Sequence, residues 1–447
     1  MSDFSIVILA AGDGTRMKSR LPKLLHKVGG APIIAHLVRA ARDSGADEVH
    51  VVTAPDAEEL RAVVSQIDPA IGFFTQSEKL GTGHAAKMAG PAWAKGEGHV
   101  AFVYADHPLL LPETFNAIRG KLENGWDGAI LGFKPADPTG YGRLVTEGEY
   151  LIDIVEHKDA SDEIRKIPLC NACILAFSKN LFREAVGDLS NDNSQNEFYL
   201  TDMVRHVRAK GGRVTYTIAD EEVVAGVNSR AQLAAAETIF QNRMRRAVLD
   251  GGVTLADPQS VYFAFDTEIA PDVTIEQNVV FGLGVTIETG VTIRAFSHIE
   301  GAHVGRGSII GPFARLRPGA NLIEEAHVGN FCEIKNADIG PGAKVNHLTY
   351  IGDASIGART NIGAGTITCN YDGVNKHRTE IGAGVFIGSN SALVAPVSVG
   401  DEAFVAAGST ITHNVPAGAM AVARARQDTR PDYAARLRAR ALAKKKK

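Results

Sequence analysis

The chain has 447 residues, 45% of them hydrophobic and 22% charged, the balance of a soluble globular protein and too aliphatic for disorder. Its 47 Lys and Arg against 51 Asp and Glu give a formal charge of -4, which excludes a general nucleic-acid coat. No apolar run approaches the ~20 residues needed to span a bilayer, so no membrane role is expected.

At ~150 residues per domain, two or three domains are expected. The start, Met1-Ser2-Asp3-Phe4-Ser5, has no basic stretch ahead of an apolar core and does not read as a secretory signal; a cytoplasmic protein is expected. Of the four cysteines, Cys170 and Cys173 form a lone CxxC, while Cys332 and Cys369 stand apart. Without a second pair or two histidines at ligand spacing, they read as small residues beside a strand.

Up to about residue 227, apolar runs alternate with amphipathic stretches. Residues 5–10 (SIVILA), 49–53, 100–104 and 128–133 read as strands, and 33–44 and 57–67 as helices. This alternation predicts an α/β domain on a largely parallel, Rossmann-like sheet, with ligands at the carboxyl ends of the strands. Residues 229–249 contain no Pro or Gly, begin at a serine and end at Asp250-Gly251-Gly252, which predicts one long linker helix. The expected boundaries are therefore 1–228, 229–251 and 252–447.

Beyond residue 252, aliphatic side chains recur every six positions, as at Ile269, Ile275, Ile287, Ile293 and Ile299. The series resumes one residue early at Val304, Ile339 and Ile356. Six is not a helical period, so amphipathic helices are excluded. Short strands joined by tight turns, with one inward aliphatic per hexapeptide, predict a parallel β-helix with a stacked aliphatic core. Such a core explains why aromatics make up only 6% of the chain. Residues 368–380 (TCNYDGVNKHRTE) break the period and predict an extruded loop, either passive or lining a binding face. The basic tail from Arg424 reads as a solvated terminus.

Two sets of residues carry chemistry. After the first strand, Leu9-Ala10-Ala11-Gly12-Asp13-Gly14-Thr15-Arg16-Met17 is followed by Leu21-Pro22-Lys23. No Gly-Lys-Ser/Thr follows at P-loop spacing, and Met17 occupies the third glycine position of a dinucleotide fingerprint. A loop of unshielded N–H donors beside Arg16 and Lys23 suits a nucleoside triphosphate. Asp106 ends a buried strand, and by itself is as readily a helix cap as a ligand. In the repeats, Arg315-Leu316-Arg317, Glu333-Ile334-Lys335-Asn336 and Asn346-His347-Leu348-Thr349-Tyr350 interrupt the apolar pattern. Arg317 and Lys335, 18 residues apart, should stack on adjacent coils. Lys335 and His347, 12 apart with a slip between, should lie on different faces, so a site using both implies neighbouring copies meeting edge to edge.

The string GxGTRM…PK joined to hexapeptide repeats resembles the bacterial family of bifunctional N-acetylglucosamine-1-phosphate uridyltransferases and glucosamine-1-phosphate acetyltransferases, over essentially the whole chain. The resemblance implies a left-handed β-helix, a homotrimer, and synthesis of UDP-N-acetylglucosamine for peptidoglycan and lipopolysaccharide. It implies UTP or UDP-N-acetylglucosamine contacts at Leu9, Ala10, Ala11, Gly12, Lys23, Gln76, Gly81, Thr82, Tyr104, Ala105, Asp106, Gly142, Glu156, Asn171 and Asn228. Asp106 and Asn228 would hold one or two Mg²⁺, whose preference is for few, hard oxygen ligands completed by phosphate and water. Arg16 and Lys23 would stabilise charge on the reacting phosphates. For acetyl transfer, it implies His347 as general base oriented by Glu333. Arg317, Lys335, Tyr350, Asn361 and Lys376 would hold glucosamine phosphate, and Ala364, Asn370, Tyr371, Ser389, Ala407 and Arg424 would contact acetyl-CoA. Family members commonly carry Gly where this chain has Ala105 and Cys173. The competing readings are a sugar nucleotidyltransferase whose solenoid only oligomerises, and a non-enzymatic sugar-nucleotide-binding assembly protein.

Overall fold

The computed structural model describes residues 3–12 and 14–445. Asp13 of the glycine loop, Met1, Ser2 and the last two lysines of the tail lie outside them. Two compact units, Met1–Met244 and Arg245–Lys447, make up the chain.

The first unit is a nine-stranded mixed sheet with helices between its strands. In chain order the strands are β1 (Asp3–Ala10), β2 (Glu48–Thr53), β3 (Gly72–Thr75), β4 (Gly98–Tyr104), β5 (Gly128–Phe133), β6 (Arg143–Glu147), β7 (Tyr150–Val155), β8 (Cys170–Ser178) and β9 (Val214–Ile218). They are ordered β3-β2-β1-β4-β8-β5-β9-β7-β6. The first four run parallel, and β8 is antiparallel to both its neighbours, β4 and β5. Phe4, Ile6, Val7 and Ile8 are all buried, so β1 presents both faces to core, as a central parallel strand must. Leu9 of β1 stands beside Tyr104 of β4, and Ala105 donates its N–H to the Leu9 carbonyl at 3.1 Å. This register places the glycine loop next to Asp106, at the carboxyl edge of the sheet.

Helix α1 (Arg230–Asp250) is the expected long helix. Ser229 Oγ accepts from the Gln232 N–H at 3.3 Å and caps it. The division between the units falls inside this helix, between Met244 and Arg245. In the first unit, Glu237 accepts the Gly29 N–H at 2.7 Å. In the second, Arg245 donates to the carbonyls of Val261 and Gln259, both at 3.0 Å.

The second unit is a left-handed parallel β-helix whose columns follow the hexad. One column stacks Ile275, Ile293, Ile310, Val328, Val345 and Ile362. A second stacks Phe281, Ile299, Leu316, Ile334 and Ile351. A third stacks Ile269, Ile287, Val304, Leu322, Ile339 and Ile356. Successive hexapeptides thus turn onto successive faces, and three complete a coil. The one-residue slips all fall between the second and third columns. At the later two, the shortened corner lets one strand run through, as in Glu333–Ile339 and Tyr350–Ile356. Corners leave little room: a Cβ on Gly388 would lie 2.3 Å from the Ala407 nitrogen on the next coil.

Ile334 is fully buried between Leu316 and Ile351. Ile334→Ala should destabilise the β-helix by about 2–5 kcal/mol, read as a lower midpoint of its thermal transition. An unchanged midpoint would show that this rung is not stacked.

Candidate functional site

The first unit holds a cleft of about 370 Å³ at the carboxyl edge of β1 and β4. Of the expected nucleotide contacts, Leu9 to Gly12, Lys23, Gln76, Gly81, Thr82 and the corner from Tyr104 to Asp106 line it. Lys79 and Glu197 also line it and were not anticipated. Met17 is buried and anchors the glycine loop, while Arg16 is exposed beside it.

Lys23 organises this cleft. Its ammonium donates to Asp106 Oδ2 at 2.7 Å and to Asn228 Oδ1 at 2.9 Å. Burial alone would raise the Asp106 carboxyl, but the charges of His107 and Lys23 and the Lys23 hydrogen bond bring it below its ordinary value. His107 is itself pushed down by burial, so near neutrality Lys23 carries most of that effect. Asp106 and Asn228 are tied together through the backbone as well, since Val227 donates to the Asp106 carbonyl at 2.8 Å.

Gly142, Glu156 and Asn171 gather beside the cleft. Asn171 donates its N–H to the Gly142 carbonyl at 2.8 Å, and a Cβ on Gly142 would lie 3.3 Å from either Glu156 carboxylate oxygen. Thr201 Oγ1 donates to Glu156 Oε1 at 3.1 Å. Burial raises the Glu156 carboxyl above its ordinary value. Asn171 Oδ1 is buried with no hydrogen-bond partner, an acceptor waiting for a donor. Cys170 and Cys173 are buried free thiols in β8, both pushed up by burial.

In the second unit, the spacing places Arg317 and Lys335 in register on adjacent coils, as expected. Lys376, on the extruded loop, stands against Lys335, and with Arg317 it pushes the Lys335 ammonium down. Tyr350 pairs with Glu333 in the same stack, and Asn370 reaches Tyr350 Oη at 3.4 Å. Asp353, which was not anticipated, accepts from Asn336 at 2.6 Å and from Asn370.

His347 ends a strand of the first column, Lys344–His347, on a different face from Lys335. Its Nδ1 meets Asn330 Oδ1 at 2.7 Å. The expected orienting group, Glu333, is engaged elsewhere: its Oε1 accepts from Arg317 at 2.8 Å. Within the chain the imidazole is held by Asn330, because Asn330 lies directly beneath His347 on the preceding coil while Glu333 begins the next face. The expected acetyl-CoA contacts also divide. Asn370 and Tyr371 lie with the cation cluster. Ala364, Ser389 and Ala407 follow the corner of His347, one per coil, where Asn390 donates to the Ala364 carbonyl, Gly408 to that of Ser389 and Arg424 to that of Ala407. Asn361 lies on the His347 face.

Residues 6–194 match the MobA-like NTP transferase domain. Residues 272–310 match the hexapeptide repeat of succinyl-transferase, and 378–413 the bacterial transferase hexapeptide. The chain is 52% identical over 434 residues to the bifunctional protein GlmU of Azorhizobium caulinodans, covering 97% of each. It is 52% identical over 441 residues to that of a Ruegeria species, covering 99% of this chain and 98% of the relative. The chain belongs to the GlmU family. It is a bifunctional transferase, with a nucleotidyltransferase in its first unit and a hexapeptide-repeat acetyltransferase in its second. The reading of the solenoid as mere scaffold, and that of a non-enzymatic assembly protein, both fall with that membership. A solved UDP-glucose pyrophosphorylase with bound UDP-glucose aligns at 19% identity and a TM-score of 0.43, over 54% of this chain and 100% of that one.

The raised Glu156 carboxyl makes its charge a cost to the empty fold near neutrality. A carboxyl whose pKa is raised by folding favours the folded state while protonated and loses that advantage as pH rises. Glu156→Gln keeps an acceptor for Thr201 and removes the charge. It should raise the thermal midpoint of the first unit at pH 7, with the gain vanishing below about pH 4. The same variant should bind UDP-N-acetylglucosamine more weakly by calorimetry.

Proposed function

We propose the following assignment of residues to the two reactions of this GlmU-family enzyme, which acetylates glucosamine 1-phosphate from acetyl-CoA and then transfers uridylyl from UTP to N-acetylglucosamine 1-phosphate. In the cleft, the N–H groups of the glycine loop cradle the triphosphate, with Arg16 and Lys23 supplying positive charge. Glu156, Asn171 and Gly142 hold the sugar, and the unpartnered Asn171 oxygen accepts a sugar donor. The sugar phosphate oxygen attacks the α-phosphorus, and pyrophosphate leaves. The observation that carries this reading is the convergence of Asp106 and Asn228 on one cation, the Lys23 ammonium.

That convergence also tests the fit for Mg²⁺. A carboxylate and a carboxamide oxygen aimed at one point are hard ligands, few in number, as Mg²⁺ prefers. Asp106 and Asn228 would hold the ion, which when bound neutralises phosphate charge. Lys23 is then free to turn to the phosphates.

For acetyl transfer, Asn330 Oδ1 accepts from Nδ1–H of His347, which leaves the Nε2 lone pair free to take a proton from the attacking amine. Arg317, Lys335 and Lys376 repel one another in the empty site, and a phosphate relieves that repulsion. Ala364, Ser389 and Ala407 offer small side chains along which acetyl-CoA can lie.

Since one chain divides these groups between two faces, the complete site requires a neighbouring copy, and a homotrimer is the assembly we propose. An exposed ridge supports it. Phe296, Phe313 and Phe331 stack at 4.9 and 5.1 Å on successive coils while remaining 46–55% exposed, and Leu348 continues the ridge beside His347. Among the described residues no helix is long and apolar enough to cross a membrane. We place the enzyme in the cytoplasm, supplying UDP-N-acetylglucosamine to peptidoglycan and lipopolysaccharide synthesis.

Acetyl-CoA, glucosamine 1-phosphate and UTP with Mg²⁺ should yield UDP-N-acetylglucosamine by mass, with free thiol and pyrophosphate released. His347→Ala should lower thiol release by about 10²–10⁴-fold while pyrophosphate release from supplied N-acetylglucosamine 1-phosphate continues. Asp106→Ala should do the reverse, and loss of both activities from either change would contradict separate sites. Co-refolding His347→Ala with Lys335→Ala chains should restore acetyl transfer, because some clefts then combine an intact histidine with an intact lysine. No recovery in mixed assemblies would place both residues in one chain's site.

A further inference from the structure

The nucleotide cleft contains a carboxamide whose orientation is set from behind. Gln76 is 5% exposed and lines the cleft. Its Nε2 donates to the Gly81 carbonyl at 3.1 Å and meets His84 Nδ1 at 3.2 Å. A carbonyl can only accept, so the nitrogen end of the carboxamide must face Gly81. That carbonyl is itself fixed. Gly81 has φ +101°, a Cβ there would lie 2.6 Å from the Phe198 carbonyl oxygen, and Ala85 donates to it at 3.2 Å. His84 sits on the helix Thr82–Met88 with its ring against Phe198, centroids 6.4 Å apart. With Nδ1 as acceptor, its proton is on Nε2. Both amide hydrogens of Gln76 are thereby used on the protein side, and Oε1 is the end left for a ligand.

An acceptor presented alone discriminates between pyrimidines. The pairing edge of uracil has N3–H, a donor, between two carbonyl oxygens. The same edge of cytosine has a lone pair at N3. Oε1 accepts from uracil N3–H but faces cytosine N3 lone pair to lone pair, and an unmatched buried polar pair is strongly unfavourable. A carboxamide free to turn over would present its NH₂ to cytosine N3 and erase the difference. We propose that His84, acting with the Gly81 carbonyl, locks the Gln76 carboxamide oxygen-outward and is a positioning residue for the choice of uracil over cytosine.

This rests on reading the cleft as the UTP site, and the test separates the two. Uridylyl transfer is measured with the full chain as kcat/KM for UTP and for CTP by pyrophosphate release. Acetyl transfer by the same preparation reports on the fold. His84→Ala and His84→Phe should lower the UTP to CTP ratio about tenfold, the value of one hydrogen bond of ~1.4 kcal/mol. His84→Asn, whose Oδ1 can stand where Nδ1 was, should restore most of the ratio. Gln76→Ala should lose this discrimination altogether. If Gln76→Ala leaves the ratio unchanged, the base does not meet Gln76 and the pocket reading fails with the inference. If Gln76→Ala collapses the ratio but His84→Ala and His84→Phe keep it, or lose both turnovers in parallel, the lock is wrong and the pocket stands.

Discussion

Stacking of one inward aliphatic on the next sets both the period of the second unit and the geometry of its chemistry. Leu316, Ile334 and Ile351 must superpose from coil to coil, so the side chains on either side of each point outward at fixed heights. Arg317 and Lys335 therefore align one coil apart, with Lys376 brought against them by the extruded loop. The same rule sends His347 round the corner onto another face. No rotamer choice can undo that separation within one solenoid, because each face is a flat ladder of backbone hydrogen bonds. The backbone thus holds the cations and the imidazole on two different faces of one solenoid.

The first unit depends on a different constraint, the side-by-side registry of two parallel strands. Because Leu9 stands beside Tyr104, a loop of N–H donors and an acidic corner end at the same edge. The groups there are left incompletely satisfied. Burial disfavours a charge on Glu156, and Asn171 has an acceptor with no partner. Such arrangements weaken an empty fold and favour a ligand that completes them, which is why they gather at a cleft and not in the core of the sheet.

Much of this was legible in the chain itself. The six-residue recurrence defines the columns without any knowledge of coordinates, because a period fixed by turn geometry leaves its mark at every turn. The slips at Val304, Ile339 and Ile356 show as shortened corners for the same reason. Boundaries inside α1 were not legible: Glu237 and Arg245 belong to different units though they lie on one uninterrupted helix, and helix propensity carries no signal of what each end touches. Partner choice was the other gap. Glu333 is an acid near His347 in the chain, yet the imidazole goes to Asn330, a residue 17 positions earlier that counting back one slipped coil would have reached. Asp353 and His84 carry no periodic signal for the partners they take, and only the folded backbone brings them to Asn370 and Gln76.

The grip of Lys23 on Asp106 and Asn228 bears on the electrostatics of the whole cleft. An acid buried at this edge would by itself draw in whatever cation was at hand. The tethered ammonium serves as a resident counter-ion, present at an effective concentration no free salt can match. The acidic corner is thereby balanced by a cation that the chain itself carries, and any other cation has to compete with it for Asp106 and Asn228.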